Sequence, residues 1–201
     1  MIVAFCGIDG AGKTTLIRGL LDCGVFDNAK CFRKCNKENA DRVHRLSKPR
    51  HPHARTYLGD PLSLTCCWAY AFDFIAFYES IRTSLGNGVN LMDRWRPCLE
   101  AWIALLPHEK QCGLLQVASL LPHADLTFLL DVDPDVALHR LRRTRDAKPD
   151  ETSDLLSTLR GCYIKLAASG ISRTVVLPDR PQKELIEVIT YHMQSPPTPR
   201  G

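Results

Sequence analysis

Residues Gly7-Ile8-Asp9-Gly10-Ala11-Gly12-Lys13-Thr14, followed by Thr15, carry the spacing G-x-x-x-x-G-K-[ST]. Glycines at this spacing let backbone N–H groups turn inward around a phosphate, and a helix starting there adds its positive N-terminal end. In such a loop Lys13 reaches phosphate oxygens and the Thr14 hydroxyl ligates Mg²⁺. An apolar run over 2–6 leads in and an apolar-periodic segment over 13–22 leads out, the strand–loop–helix setting the motif needs. A chance glycine turn would not need that setting. The expected ligands are a nucleoside triphosphate, ATP or GTP, and Mg²⁺.

Two further groups could complete phosphate chemistry. Asp93 closes the apolar run Val89-Asn90-Leu91-Met92, where a carboxylate beside the nucleotide loop can hold the metal or its waters. Arg94, next in the chain, could grip a second phosphate, although a plain strand-end salt bridge would look the same. Arg140-Leu141-Arg142-Arg143-Thr144-Arg145 places four arginines in six positions at the end of a helical pattern. A helix C-terminus welcomes cations on its own account. The functional reading is a lid over 142–151 whose Arg142, Arg143 and Arg145 neutralise the transferring phosphoryl group and exclude water.

These residues must be carried by a frame of suitable size. The chain has 201 residues with a net charge of +4 from 26 Lys and Arg against 22 Asp and Glu. That length suits one α/β domain, and the modest charge argues against a purely electrostatic nucleic-acid binder. Short runs, apolar on both sides, at 2–6, 29–33, 89–92, 126–132 and 174–177 predict buried parallel strands. Between them, helices are predicted at 13–22, 36–46, 61–85, 97–106, 110–121, 134–144, 152–168 and 181–193. The alternation predicts a doubly wound α/β domain over 1–193, with ligands at the carboxyl ends of the strands. Residues 194–201, rich in proline, are expected to be a disordered tail.

No apolar stretch approaches the roughly 20 residues of a membrane span. Nine cysteines, an odd number at irregular spacing, predict free thiols and a cytoplasmic setting. Cys31 and Cys35, with His51 and His53 nearby, are the nearest approach to a zinc ligand set, but no second cysteine pair answers them. The basic stretch from Arg42 to Arg50 has few aromatics interleaved to stack bases, so nucleic acid is not an expected partner.

Taken together, these motifs resemble the thymidylate kinase family over residues 1 to about 193. The resemblance rests on the nucleotide loop with Asp9 in its third position, on Asp93-Arg94-Trp95, on the fourth-strand run Leu129 to Leu138, and on Arg160-Gly161-Cys162-Tyr163. It implies a P-loop kinase fold, a five-stranded parallel sheet flanked by helices on both faces. It also implies phosphoryl transfer from ATP to a nucleoside monophosphate, with Lys13, Asp93, Arg142, Arg143 and Arg145 serving the chemistry. Asp9 would meet the acceptor's 3′-hydroxyl, and Arg94 with Arg33 its phosphate. Gly10 stands where some members place an arginine, and members lacking it supply one from the lid. Many relatives are homodimers, and the apolar segment 68–77 could serve an interface or the core.

The acceptor pocket departs from the family pattern. Tyr70 retains the aromatic that stacks on the base, while Phe74 replaces an arginine that hydrogen-bonds the ring. Leu99 stands where the family commonly places polar residues that read the pyrimidine edge, and Trp102 where a tyrosine often lies near the sugar. A site that loses such partners loses most of its discrimination. Two other readings therefore stay open: a kinase of the same fold acting on a non-standard acceptor, such as a nucleoside-like small molecule or a modified base in DNA, and a nucleotide-dependent switch without turnover.

Overall fold

The computed structural model describes residues 1–26, 28–33, 38–47, 61–145 and 151–194. Five strands form one parallel sheet: β1 (Ile2–Cys6), β2 (Lys30–Phe32), β3 (Asn90–Asp93), β4 (Leu126–Asp131) and β5 (Thr174–Pro178). Their spatial order is β2-β3-β1-β4-β5, so β1 sits at the centre with β3 and β4 on its flanks. Register pairs Phe5 with Asp93 on one side and with Phe128 on the other. The carboxyl ends of β1, β3 and β4 consequently open onto the same edge. Val3 to Cys6 of β1 are buried, which is why that strand reads as a continuous apolar run, and all four residues of β3 are buried as well, Asn90 and Asp93 included.

The helices are α1 (Lys13–Asp22), α2 (Glu38–Ser47), α3 (Pro61–Ile81), α4 (Arg96–Ile103), α5 (Cys112–Ala118), α6 (Pro134–Thr144), α7 (Ser153–Ala168) and α8 (Gln182–Gln194). Side-chain alternation divides them between the faces of the sheet. Phe128 stacks on Phe5 at 5.5 Å and meets His192 of α8, whereas Thr127 and Leu129 line a small cavity with Cys6, α4 and α7. Helix α1 packs against α8, and α4 against α7. The core is one contiguous cluster running from Val3 and Leu16 to Trp95, Leu114 and Ile189.

Boundaries differ from expectation where local turns tighten a helix end. The helix predicted over 61–85 stops at Ile81 and finishes as a 3₁₀ turn, Arg82–Ser84. The segment predicted over 110–121 divides into a 3₁₀ turn, His108–Lys110, and the short α5. Leu121 then closes a three-residue bond to Ala118 at 3.1 Å. Pro122 follows, and a residue before proline is driven out of the helical region. Helix α4 begins at Arg96 with proline in its first turn and ends at Ile103, after which Leu105 and Leu106 make three-residue bonds to Trp102 and Ile103. The edge strand β2 covers Lys30–Phe32 rather than 29–33.

Residues 48–60, the lid residues 146–150, the tail residues 195–201 and the prospective ligands Cys35, His51 and His53 lie outside the described residues. Every described cysteine is a free thiol. No helix among the described residues is long and apolar enough to cross a membrane. Within 68–77 most of α3 serves the core, with Ala71 and Phe74 at 0% exposure, while Phe72 is 54% exposed.

Candidate active site

The nucleotide loop leaves β1 at Cys6 and enters α1 at Lys13. All three of its glycines adopt a positive φ, Gly7 at 135° where a Cβ would lie 2.6 Å from the Leu130 carbonyl oxygen. Gly12 caps α1 in the left-handed region at φ 91°, and Gly10 adopts φ 84° with its backbone pressed against the start of α6. A Cβ at position 10 would lie 2.2 Å from the Ala137 carbonyl oxygen. A side chain at position 10 would therefore require the α6 backbone to shift.

Lys13 is 5% exposed, and its ammonium donates to the carbonyls of Gly7 at 2.9 Å and Ile8 at 2.7 Å. The side chain therefore folds back over the loop that would carry the phosphates. Burial, reinforced by the Arg94 charge and partly offset by Asp9, lowers its pKa to about 8. Thr14 Oγ1 donates to Asp93 Oδ2 at 2.6 Å. A hydroxyl and a carboxylate so placed are hard oxygen donors of the kind Mg²⁺ takes, so the predicted metal pair fits that ion. Ile8 and Ala11 are buried, whereas Thr14 and Thr15 are exposed on the first turn of α1.

Arg94 follows Asp93 at the end of β3 with φ 75°, a left-handed conformation that an arginine adopts only where its surroundings impose it. Its N–H donates to the Phe5 carbonyl at 3.2 Å, and its guanidinium, 6% exposed, is ion-paired with Asp9 of the nucleotide loop. Burial works against that charge, but the Asp9 carboxylate more than offsets it and holds the group firmly protonated. Behind it lie Cys6, Cys98 and Tyr163. Burial pushes the Cys6 thiol up. At Cys98 burial opposes ionisation, yet the hydrogen bond from Cys6 and the Arg94 charge draw the thiol below its ordinary range.

The other predicted residues divide into three groups. Tyr70, Phe74 and Trp102 form one aromatic cluster, with Tyr70 edge-on to Phe74 at 4.9 Å and to Trp102 at 6.4 Å. Within and beside that cluster, Phe74 is 0% and Leu99 1% exposed, so both pack as core residues. Arg33 is exposed just past β2, and no described contact joins it to Arg94. Arg142 and Arg143 are exposed on the last turn of α6, while Arg145, one residue further on, is held by Glu151.

Three partnerships were not anticipated from sequence. Buried Asp73 of α3 accepts from the Asn39 and Ala40 N–H groups, both at 3.0 Å, and from Asn39 Nδ2 at 2.8 Å, fastening the start of α2. A carboxylate in the apolar middle of α3 is the available signal, because a buried charge must find partners. At the end of β4, Asp131 pairs with Arg160 at 2.5 and 3.0 Å beside Gly7 and Ile8. The third is the Arg145–Glu151 pair.

A P-loop at the central strand of a parallel 2-3-1-4-5 sheet, with a strand-end carboxylate on its threonine and a buried arginine beside it, defines a P-loop kinase, a phosphotransferase. Comparison with known proteins places it more narrowly. The chain belongs to the thymidylate kinase family and is a nucleotide kinase: it is 30% identical over 175 residues to the thymidylate kinase of Xanthomonas campestris pv. campestris, covering 85% of this chain and 73% of that one. It is 28% identical to a probable thymidylate kinase of Archaeoglobus fulgidus over 97% of this chain and 95% of the relative. A probable thymidylate kinase of Methanococcoides burtonii is 27% identical over 96% and 98%. No protein-family model matches the chain. Among solved structures, deoxyadenosine kinase from M. mycoides superposes with a TM-score of 0.70 at 14% identity over 96% of this chain and 98% of that one, a likeness of fold.

Proposed function

We propose that this protein transfers the γ-phosphoryl group of ATP to the 5′-phosphate of dTMP or a closely related deoxynucleotide. The observation that carries the reading is the junction of Thr14, Asp93, Arg94 and Asp9, which joins a triphosphate cradle to an acceptor-phosphate cation at one sheet edge. Lys13 exchanges its loop carbonyls for β- and γ-phosphate oxygens. Thr14 and Asp93 would hold Mg²⁺, which would supply positive charge to offset the phosphates. Arg94 orients the acceptor phosphate, and Asp9, released from it, accepts from the sugar 3′-hydroxyl. Arg142, Arg143 and Arg145 meet charge on the group in transfer. Positioning and charge neutralisation carry this chemistry, and no strong general base is required.

A second reading is supported by the acceptor pocket. Tyr70 and Trp102 offer stacking faces, but Phe74 and Leu99 present no donor or acceptor to a ring edge. The same machinery would then phosphorylate a non-standard acceptor that is recognised by stacking and by its phosphate or hydroxyl. ADP release measured with ATP and Mg²⁺ against dTMP, dUMP, 5-substituted dUMPs and other monophosphates separates the two. Turnover of dTMP that is lost in Lys13→Ala and Arg94→Ala upholds the first reading. Silence across the panel, with ATP still bound, overturns it in favour of the second.

A further inference from the structure

Two buried thiols behind Arg94 have no part in the phosphoryl transfer described above. Cys6 ends β1 and directly precedes Gly7 of the nucleotide loop. Cys98 lies in the first turn of α4, its N–H closing back on the Trp95 carbonyl at 2.8 Å. The register that pairs Phe5 with Asp93 sets Cys6 level with Arg94, whose N–H donates to the Phe5 carbonyl. The two thiols meet there and share a hydrogen bond, Cys6 at 1% exposure and Cys98 at 0%. Cys66 and Cys67, by contrast, are consecutive in α3, where neighbouring side chains do not face each other.

A thiol in purely apolar surroundings is inert, whereas a thiolate beside cations is a nucleophile. Burial opposes the charge at Cys98, but the hydrogen bond from Cys6 and the Arg94 guanidinium favour it. A cavity of about 20 Å³ between α4 and α7 is lined by Cys6 and Tyr163 and reaches the surface at Ile171, 60% exposed. That space admits a molecule of about water's size, and hydrogen peroxide is little larger.

We propose that a hydroperoxide closes Cys6 and Cys98 into a reversible disulfide, and that this bond disables the acceptor site at Arg94. The Cys98 thiolate attacks one peroxide oxygen, the O–O bond breaks, and the departing hydroxide takes up a proton as water. The Cys6 thiol then attacks the sulfenic sulfur, and its proton leaves with the hydroxyl group as a second water. Two thiols and one peroxide thus give one disulfide and two waters, and a thiol reductant reverses the bond by exchange. An S–S bond of about 2.05 Å draws the sulfurs well inside hydrogen-bonding distance. The stem of the nucleotide loop or the start of α4 must therefore shift, and these segments flank the Arg94–Asp9 pair. That consequence rests on the reading of Arg94 as the acceptor-phosphate cation.

The test treats the reduced full chain with hydrogen peroxide, then reads peptide maps without reductant alongside the kinetics with ATP and dTMP. Exposed Cys23, Cys31 and Cys112 also meet the peroxide, so the bond is read as a linked peptide pair rather than as lost thiols. The expected result is a Cys6–Cys98 link, about 2 Da lighter than the two free thiols. With it kcat/KM for dTMP should fall at least about tenfold, and dithiothreitol should restore it. Cys6→Ser and Cys98→Ser should each hold their own kcat/KM through the same treatment. If either does not fold, the wild-type map and the recovery with dithiothreitol decide alone.

No Cys6–Cys98 link, or sulfinic acid at Cys98 in its place, overturns the proposal. So does a link that leaves kcat/KM unchanged, or an equal loss in Cys98→Ser. If Arg94→Ala keeps the wild-type kcat/KM, or no monophosphate is turned over, the acceptor-site reading has failed and takes the switch with it. A missing link with Arg94→Ala impaired sinks the switch alone.

Discussion

Thr14 and Asp93, 79 residues apart in sequence, meet through a 2.6 Å hydrogen bond from the threonine hydroxyl to the carboxylate. The contact spans the gap between the central strand's loop and the carboxyl end of β3, and it brings two hard oxygen donors to one point. Asp93→Asn and Thr14→Ala should each lower kcat about 10²-fold or more, whereas Thr14→Ser should keep most of the activity. Titration of activity with Mg²⁺ checks the assignment, since both damaging variants should need more metal for half-maximal rate.

Lys13 gives a pH signature with two opposite signs. Its proton leaves the folded protein near pH 8, against the ordinary lysine value of 10.5. Phosphate binding needs the charged form, so ATP affinity should fall as pH rises through about 8. Over the interval from about 8 to 10.5 the unfolded chain holds more protons, so this residue's contribution to stability should rise with pH. Isothermal titration and thermal unfolding across pH 7–11, compared with Lys13→Met, test both slopes. The variant should flatten each of them.

Gly10→Ala should be severe for a small change. The added methyl would meet the Ala137 carbonyl oxygen at 2.2 Å, on a backbone already at φ 84°. A cost of roughly 3 kcal/mol or more is expected. Urea denaturation reads the loss, and ATP binding should weaken along with it.

Asp73→Ala should unfasten the start of α2, leaving the Asn39 and Ala40 N–H groups without their carboxylate. The expected cost is about 2 kcal/mol. Hydrogen exchange at Asn39 and Ala40 should rise more than exchange in β1 if the effect is local.

Selectivity for the acceptor base should be shallow. With Phe74 and Leu99 as the proposed apolar neighbours of the base, dTMP and dUMP differ by one methyl group, which is worth about tenfold to 200-fold at most. Competing the two substrates gives the ratio of kcat/KM directly. A ratio above about 10³ would exceed what burial of one methyl group can give and would overturn this prediction.

The nucleotide loop, the five strands and the predicted helices were legible because each depends on local sequence: a fixed glycine spacing, runs apolar on both sides, and 3.6-residue periodicity. Asp93 could be placed because a strand end beside the loop leaves little choice. The partnerships of Asp73, Asp131 and Glu151 were not legible, because each joins elements whose approach only the folded chain defines. Helix ends at Ile81 and Ala118 were misplaced because apolar periodicity continues through the 3₁₀ turns that close those segments. Position along the chain places Phe74 and Leu99 beside the proposed acceptor site, but their depth, 0% and 1% exposed, is set by how α3 and α4 pack.

The contact between Gly10 and Ala137 also bears on which variants of this protein are accessible by single mutations. Any side chain at position 10 must be accompanied by a shift of the α6 backbone, and α6 leads directly to Arg145 and the Glu151 that holds it. Moving the arginine proposed to meet the transferred phosphate from the far end of α6 into the loop would thus need at least two coordinated changes. The single-mutation intermediate would be penalised both in folding and in turnover. The two arrangements are separated by a fitness valley, and a lineage that adopts one of them is expected to keep it.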